Sequence, residues 1–327
     1  MQIEEYINYI GAVRRYSPRT KELYLKILSE YKAFFEGEEP VFTPTAIRNY
    51  EVHLLDDKKN SARSVGLHLS VLSGYCKYLI RKGELSSNPV RLVKRPKEHK
   101  RLPEFYRADA MEDYFVGSEH CANRESLDFL MSLPPSDDTA QDLYGRRLRR
   151  LIVSLLFGTG IRRSELISLT NSSLNHGRHT LSVLGKGDKM REIPLVGTLY
   201  SEILLYLKAA DYMLGAMEGG DAPLLRTLKG ARLYPVFVDR AVKEELGSSE
   251  GFTGRKSPHV LRHTIASELL DGGTDLNSIK ELLGHSSLAA TQVYTHNTIE
   301  RLKKVYDNAH PRANKNGRSE ERRVGKE

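Results

Sequence analysis

The spacing of apolar residues predicts that the first hundred positions form a small bundle of helices. Ser17 followed by Pro18 is typical of a helix start, because serine caps the first turn and proline fits its first position. Further helices are predicted after Thr43 and over about 61–82, with a short segment near 90–94. The first helix shows the apolar spacing of three and four most clearly, at Leu23, Tyr24, Ile27, Leu28, Tyr31, Phe34 and Phe35. Since no strand pattern interrupts the helices, residues 1–95 are predicted to be an all-helical domain.

Residues 108–310 are predicted to form a second domain, mostly helical with a small antiparallel sheet. An apolar run from Leu148 to Phe157 predicts a buried helix that ends at a glycine turn. Short strand patterns at 181–184 and 192–195 flank the glycine-rich segment 185–188, which is typical of a hairpin.

Two later helices of this domain have clear boundary signals. One is predicted to start at Ser257–Pro258 and to end at Gly272–Gly273. The next is predicted to start at Thr274–Asp275 and to stop at Gly284. A final amphipathic helix is predicted from Ile299 to about Ala309.

Three segments lie outside these patterns. Residues 96–107 are basic and interrupted by prolines, and we interpret them as a linker between the domains. Residues 117–142 are polar and contain the Pro134–Pro135 loop, and their sequence indicates no role. Residues 311–327 are predicted to be a disordered tail. Its last ten residues, 318–327, match the translation of a common sequencing-adapter sequence and are predicted to be non-native.

The charge of the chain points to a polyanionic partner. The 327 residues carry a net charge of +8, and residues 1–100 hold 18 Lys and Arg against 12 Asp and Glu. Eight basic residues lie in the range from Arg81 to Arg101. They could simply be solvated charges on a linker, but contacts with DNA phosphates are the better interpretation. The acidic N-terminus has no signal-peptide pattern, and two cysteines cannot form a disulfide framework. A cytoplasmic, nucleoid-associated protein without membrane contact is therefore expected.

The candidate chemistry lies in the second domain, in a set of cations and one tyrosine. Arginine matters because its planar fork can hold two phosphate oxygens at once. A tyrosine among such cations suits attack on phosphorus to give a covalent phosphotyrosine. The candidate residues, in chain order, are Arg162, Lys186, His259, Arg262, His285 and Tyr294.

Each candidate also has an ordinary structural interpretation. Arg162 could simply pair with Glu165 along a helix, and Lys186 could be a solvated turn lysine. His259 could cap the start of a helix, and Tyr294 could pack in a hydrophobic core. His285 could interact favourably with the dipole at the C-terminal end of a helix. Arg163 and Lys189 are adjacent alternatives to Arg162 and Lys186.

The ordered motifs resemble those of the tyrosine recombinase (phage integrase) family, and most closely the Xer-type recombinases. The matching phrases are Thr159-Gly160-Ile161-Arg162, His259-Val260-Leu261-Arg262-His263, Leu283-Gly284-His285 and Tyr294-Thr295-His296. The likeness reaches the N-terminal half through Tyr16-Ser17-Pro18-Arg19-Thr20 and Asn88-Pro89, and covers about residues 3–310. It implies a mainly α fold: a SAM-like four-helix core-binding domain and a mostly helical catalytic domain with a small sheet.

The resemblance also implies a role for each candidate. Arg162 and Arg262 would hold the non-bridging phosphate oxygens, and Lys186 would protonate the leaving 5′ oxygen. His259 and His285 would assist at the phosphate, with Glu165 and His263 in support. Tyr294 would form a 3′-phosphotyrosine, and no metal, nucleotide or other cofactor is expected.

The implied partner is double-stranded DNA with a specific recombination site. We expect a cyclic tetramer of this chain, or of this chain with a paralogous recombinase, on two duplexes. The residues predicted to contact DNA are Arg63, Lys77, Arg81, Arg95, Lys97, Lys100 and Arg101.

Other functions compete with this interpretation. A zinc hydrolase could use His259, His263 and His285, but Val260 stands where a glutamate base would follow and Arg262 would repel the cation. A DNA-bridging protein without catalysis would be expected to have lost catalytic residues. Here all six candidate positions carry the residue type that the catalytic set requires. A type IB topoisomerase fits the two-domain pattern less well. The sequence does not separate element integration or DNA inversion from chromosome-dimer resolution.

Overall fold

A computed structural model describes residues 2–97, 105–185, 189–217, 219–247, 251–252 and 254–284. The chain divides into two compact units, Met1–Leu102 and Pro103–Glu327. The predicted tail at 311–327, the predicted helix from Ile299 and most of the predicted linker lie outside the described residues.

The described residues of the first unit form four α-helices, as predicted, but not the four that the pattern indicated. The helices are α1 (Ile3–Ala12), α2 (Pro18–Ala33), α3 (Pro44–Val52) and α4 (Ala62–Lys82). A short π-helix, His53–Asp57, continues α3. The predicted fourth segment is only a 3-10 turn, Pro89–Leu92, and the fourth helix is α1, which the pattern did not reveal.

Local capping explains where three of these helices begin. The side chains of Ser17, Thr43 and Ser61 each accept a hydrogen bond from a backbone N–H three residues later. Helix α4 ends at Gly83, whose φ of 75° lies in the left-handed region. The helices α2, α3 and α4 share one hydrophobic core. Its fully buried residues include Leu28, Tyr31, Ile47, Leu69 and Leu72.

The second unit has eight α-helices among its described residues. They are α5 (Ala108–Gly117), α6 (Arg124–Ser132), α7 (Asp138–Thr159), α8 (Arg163–Ser168), α9 (Gly197–Leu214), α10 (Pro235–Gly247), α11 (Pro258–Asp271) and α12 (Leu276–Leu283). The polar segment 117–142 contains α6 and the first turn of α7, with the predicted loop at Pro134–Pro135 between them. Helix α7 lies at the centre, packed against α9, α10 and α11.

Three short strands form the predicted antiparallel sheet. They are β1 (Leu174–Asn175), β2 (Thr180–Leu184) and β3 (Met190–Pro194), in that order across the sheet. β1 was not predicted, and β3 begins two residues earlier than the pattern indicated. The mainly helical fold class with a small sheet is confirmed. No helix within the described ranges combines the length and the apolar character needed to cross a bilayer.

Candidate active site

Arg162 is delivered by the sharp turn that follows α7. Gly160 ends that helix with a φ of 61°, and a side chain there would overlap Leu283. Arg162 directly precedes α8 and is held at both ends by Glu165. Its backbone N–H donates to Glu165 Oε2 at 2.8 Å, and its Nη1 donates to Glu165 Oε1 at 2.7 Å. The predicted intrahelical pair therefore exists, and it orients the guanidinium.

Glu165 also binds a second arginine, Arg191 on β3. Nη1 and Nη2 of Arg191 donate to the two carboxylate oxygens at 3.2 and 2.7 Å. Glu165 is only 4% exposed, and this burial opposes its ionisation, but the bonds from Arg191 and Arg162 outweigh it and lower the pKa of the carboxyl. An ionised carboxylate thus joins α8 to the sheet.

Sequence reasoning missed Arg191. Its guanidinium is buried, and its Nε donates to the carbonyl of Leu282 at 3.0 Å. One signal was available: Arg191 and Ile193 alternate with Met190 and Glu192 along β3, which places the arginine on the buried face. The predicted strand began only at residue 192, so this alternation was not recognised.

Arg262, in the second turn of α11, is oriented by two backbone carbonyls. Its Nη1 donates to Gly160 O at 2.5 Å and its Nη2 to Leu283 O at 2.6 Å. Burial, together with the nearby charge of Arg162, lowers the pKa of Arg262 to about 10, so it stays protonated at neutral pH.

Three arginines therefore meet at the C-terminal end of α12. Successive carbonyls of Leu282, Leu283 and Gly284 accept from Arg191, Arg262 and Arg162, the last at 2.8 Å. The last carbonyls of a helix lack intrahelical partners and carry its negative dipole end, so they suit guanidinium donors. This arrangement brings Arg162 and Arg262, which are 100 residues apart, to the segment that immediately precedes His285.

His259 lies one helical turn before Arg262, on the first turn of α11. It is exposed, as is His263. Burial of part of the ring lowers the pKa of His259, and the charges of Arg163, His263 and Arg262 lower it further. His259 is thus neutral at pH 7 and can accept a proton.

The structure brings together part of the predicted set. Arg162, Glu165 and Arg262 lie around the end of α12, and His259 lies one helical turn before Arg262 on α11. Lys186, His285 and Tyr294 lie outside the described residues. Of the alternatives, Arg163 pairs instead with Asp239 on α10. Lys189 is exposed, and its carbonyl closes the hairpin by accepting from the Gly185 N–H at 2.8 Å.

The residues predicted to contact DNA are partly described. Arg63, Lys77, Arg81, Arg95 and Lys97 are exposed on the first unit, whereas Lys100 and Arg101 lie outside the described residues. Across the part of the chain that the structure describes, no three His, Cys, Asp or Glu side chains could hold a metal ion together.

Known proteins match both units. Residues 139–301 match the phage integrase family, and residues 3–83 match the phage integrase N-terminal SAM-like domain. Tyrosine recombinase XerC of Chlorobaculum parvum is 32% identical over 326 residues, covering 95% of this chain and 94% of the relative. XerC of Bacillus pumilus is also 32% identical, covering 94% of this chain and 95% of the relative.

Solved structures support the same fold. XerH recombinase bound to a palindromic difH substrate matches 93% of this chain and 82% of its own, with a TM-score of 0.64 and 19% identity. A lambda integrase fragment bound as a dimer to a core site matches 89% of this chain and 97% of its own, with a TM-score of 0.59 and 20% identity. With motifs, both domains and full-length similarity in agreement, the chain belongs to the phage integrase family and is an Xer-like tyrosine recombinase.

Proposed function

We propose that this enzyme breaks and rejoins the strands of double-stranded DNA at a specific site, with Tyr294 as its nucleophile. The observation that carries this assignment is the meeting of Arg162 and Arg262 at the end of α12. The chain continues from that point into His285 and, nine residues later, Tyr294. Two oriented guanidiniums, at the point from which the chain leads to a tyrosine, suit one scissile phosphate.

Arg162 and Arg262 act on the non-bridging oxygens of that phosphate. Each guanidinium has five N–H donors, and the protein contacts leave some of them for a ligand. Because the carbonyls and Glu165 already fix both side chains, little reorganisation is needed as negative charge develops on the five-coordinate phosphorus.

Proton handling falls to His259, Lys186 and His285. The phenol of tyrosine has an ordinary pKa of about 10, so attack at neutral pH requires a nearby acceptor and positive charge. Neutral His259 accepts the Tyr294 proton, and Lys186 gives a proton to the departing 5′ oxygen, while His285 donates to the phosphate. The tyrosine oxygen–phosphorus bond forms as the phosphorus–5′ oxygen bond breaks. Reversal by a partner 5′ hydroxyl restores the phosphodiester, so this exchange requires neither a metal ion nor a nucleotide.

A covalent-trapping experiment tests this function. The parent chain and Tyr294→Phe are incubated with sheared DNA of the source organism, with and without a strong chelator, and adducts that survive denaturation are collected. We expect adducts from the parent alone, and sequencing the trapped DNA identifies the site and the biological role. DNA binding without any adduct would support a bridging protein instead, and loss of activity in the chelator would support a metal hydrolase.

Strand exchange between two duplexes further requires assembly. We extend the proposal to a cyclic tetramer of this chain, with or without a paralogous recombinase, acting in the cytoplasm. The predicted helix from Ile299 to Ala309 supports head-to-tail docking into a neighbouring copy.

Deleting residues 298–310 tests this assembly. We expect the variant to bind duplex DNA like the parent in a gel-shift assay but to lose strand exchange between two duplexes. Exchange at the parental rate would contradict docking through this segment.

A further inference from the structure

A cavity in the first unit lies outside the catalytic machinery. It has a volume of about 300 Å³, opens to solvent, and is lined mainly by residues of α1, the start of α2 and one face of α4. Five tyrosines contribute to its lining: Tyr6, Tyr9, Tyr16, Tyr24 and Tyr78. Phenol groups donate and accept hydrogen bonds, so this lining is both aromatic and polar.

Tyr6 presents a hydroxyl without a partner to this cavity. The residue is only 3% exposed, and no hydrogen bond of its hydroxyl is found among the described residues. Gly74, which also lines the cavity, leaves room for it, because a Cβ at Gly74 would lie 2.8 Å from the hydroxyl oxygen. Burial, with the neighbouring tyrosines, raises the pKa of Tyr6, so the hydroxyl keeps its proton and can donate.

The rim of the cavity is positively charged. Four cations line it, namely Arg14, Lys77, Arg81 and Arg95, and all four are exposed. No Asp or Glu occurs among the described residues that line it. The nearby Glu5 bonds to Tyr78 and is also paired with Lys82 at 2.9 Å, so Lys82 offsets its charge.

One rim cation is already oriented. Arg81 donates from Nη1 to the hydroxyl of Tyr9, which leaves that hydroxyl's own proton for a ligand. The cavity thus offers phenol donors at its wall and guanidinium and ammonium donors at its mouth, which together suit the oxygens of a phosphate.

We propose that this tyrosine cavity, defined by Tyr6, Gly74 and the four rim cations, binds one phosphate of the DNA backbone. The inference rests on the proposed function, because it places a duplex on this unit. DNA is favoured over a free phosphate compound because Lys77, Arg81 and Arg95 are exposed cations of a unit whose first 100 residues carry 18 basic against 12 acidic residues. An anchored phosphate would fix the register of the unit on the duplex without reading its sequence.

Tyr6→Phe and Lys77→Gln test the cavity in the full chain. Binding to a 30-base-pair duplex is measured by fluorescence anisotropy over a range of KCl concentrations. We expect Tyr6→Phe to weaken binding about tenfold, since it removes one hydrogen bond to a charged group. Lys77→Gln should lower the slope of log affinity against log salt by about 1. The double variant should lose less than the sum of the two single losses, because both residues bind the same phosphate.

Matched controls separate the cavity from general effects. Tyr31→Phe removes a buried hydroxyl in the same core that donates to Val41 O at 2.8 Å, and Lys58→Gln removes an exposed charge outside the cavity. Both should bind DNA like the parent. Parental affinity of Tyr6→Phe, or an equal loss in Tyr31→Phe, would overturn the proposal.

Two further probes identify the source of the phosphate. Inorganic phosphate and thymidine monophosphate are titrated against the parent and Tyr6→Phe, with chemical shifts of the tyrosine rings as the readout. Tight binding of either small probe that Tyr6→Phe abolishes, with unchanged duplex affinity, would overturn the DNA assignment in favour of a free ligand. Duplex binding requires no cleavage, whereas adduct formation tests Tyr294, so the cavity and the proposed function can fail independently.

Discussion

Glu268 on α11 is a buried acid that the proposed reaction does not use. Both of its carboxylate oxygens are buried, and neither has a hydrogen-bond partner among the described residues. Burial, together with the charge of Asp271, raises the pKa of Glu268 to about 7. Because the folded protein favours the protonated acid, the ionised form above pH 7 costs stability, and this cost disappears as the pH falls toward the ordinary value of 4.5.

Glu268→Gln should therefore stabilise the protein in a pH-dependent way. The neutral amide avoids the buried charge, so we expect a gain of about 2 kcal/mol at pH 8 and much less at pH 5. Calorimetric unfolding at the two pH values measures the difference. Asp271→Asn is the control, since it removes the neighbouring charge and should give only a fraction of the gain. Equal effects of Glu268→Gln at both pH values would contradict this account.

His259 gives the reaction its expected pH dependence. Its pKa is lowered by burial and by neighbouring cations, so the neutral form persists below pH 6.5, the ordinary value. We expect the single-turnover rate of adduct formation to fall on the acid side with a midpoint below 6.5. His259→Gln should be slower at every pH and should lack this acid limb. An unchanged acid limb in His259→Gln would assign the titration to another group.

At the scale of elements, β3 is one strand of the hairpin and also connects the sheet to two helices. Through Arg191 it binds both Glu165 at the start of α8 and the Leu282 carbonyl at the end of α12. Gly284 and Gly185 both lie against this guanidinium, since an added Cβ would come within 3.0 Å of Arg191 Nη1 at Gly284 and 3.3 Å at Gly185. Arg191 is thus a positioning residue for the segments that lead to Lys186 and His285.

Arg191→Met should impair chemistry more than DNA binding. The substitution keeps an apolar stem but leaves Glu165 with one arginine partner, so we expect the rate of adduct formation to fall roughly 10- to 100-fold. Affinity for duplex DNA should change less than threefold. Arg178→Met is the matched control, because Arg178 pairs with Glu192 on the same sheet while partly exposed. If both variants lose equal activity, a general weakening of the sheet explains the loss.

Local signals made several elements predictable from the sequence. The helix over 61–82 follows from the Ser61 cap and Gly83, and the stop of α12 follows from Gly284. The start of α11 follows from Pro258 at the first helical position, since Ser257 makes no side-chain cap hydrogen bond. Arg191 could not be found in this way, because its partners Glu165 and Leu282 lie 26 and 91 residues away in sequence. The Arg162–Glu165 pair was expected from the sequence, whereas the bonds from Arg191 to the same carboxylate depend on packing.

The family motifs identified more of the site than the physical pattern did. Arg162 and Arg262 were chosen from the sequence, and the structure brings both to the end of α12. The cavity around Tyr6 was not predictable, because it depends on how α1 packs on α4 and α1 itself carries no capping side chain.

The predicted apolar face of α2 was also too wide, since Leu23 at its edge is 38% exposed.

At the scale of the whole molecule, each unit has a core of its own. Leu69 belongs to the buried cluster of the first unit, and Leu156 belongs to that of the second, and both are fully buried. The two clusters share no residue. We therefore expect the two units to unfold as separate cooperative blocks.

Leu69→Ala and Leu156→Ala test this independence by calorimetry. Each leaves a cavity that destabilises its own unit by about 2–5 kcal/mol. For a unit of the size of the first, a loss of that order lowers the unfolding temperature by roughly 10 °C or more. Leu69→Ala should shift one transition and Leu156→Ala the other, leaving the second transition of each variant in place. If either substitution shifts both transitions equally, the two units unfold as one cooperative block.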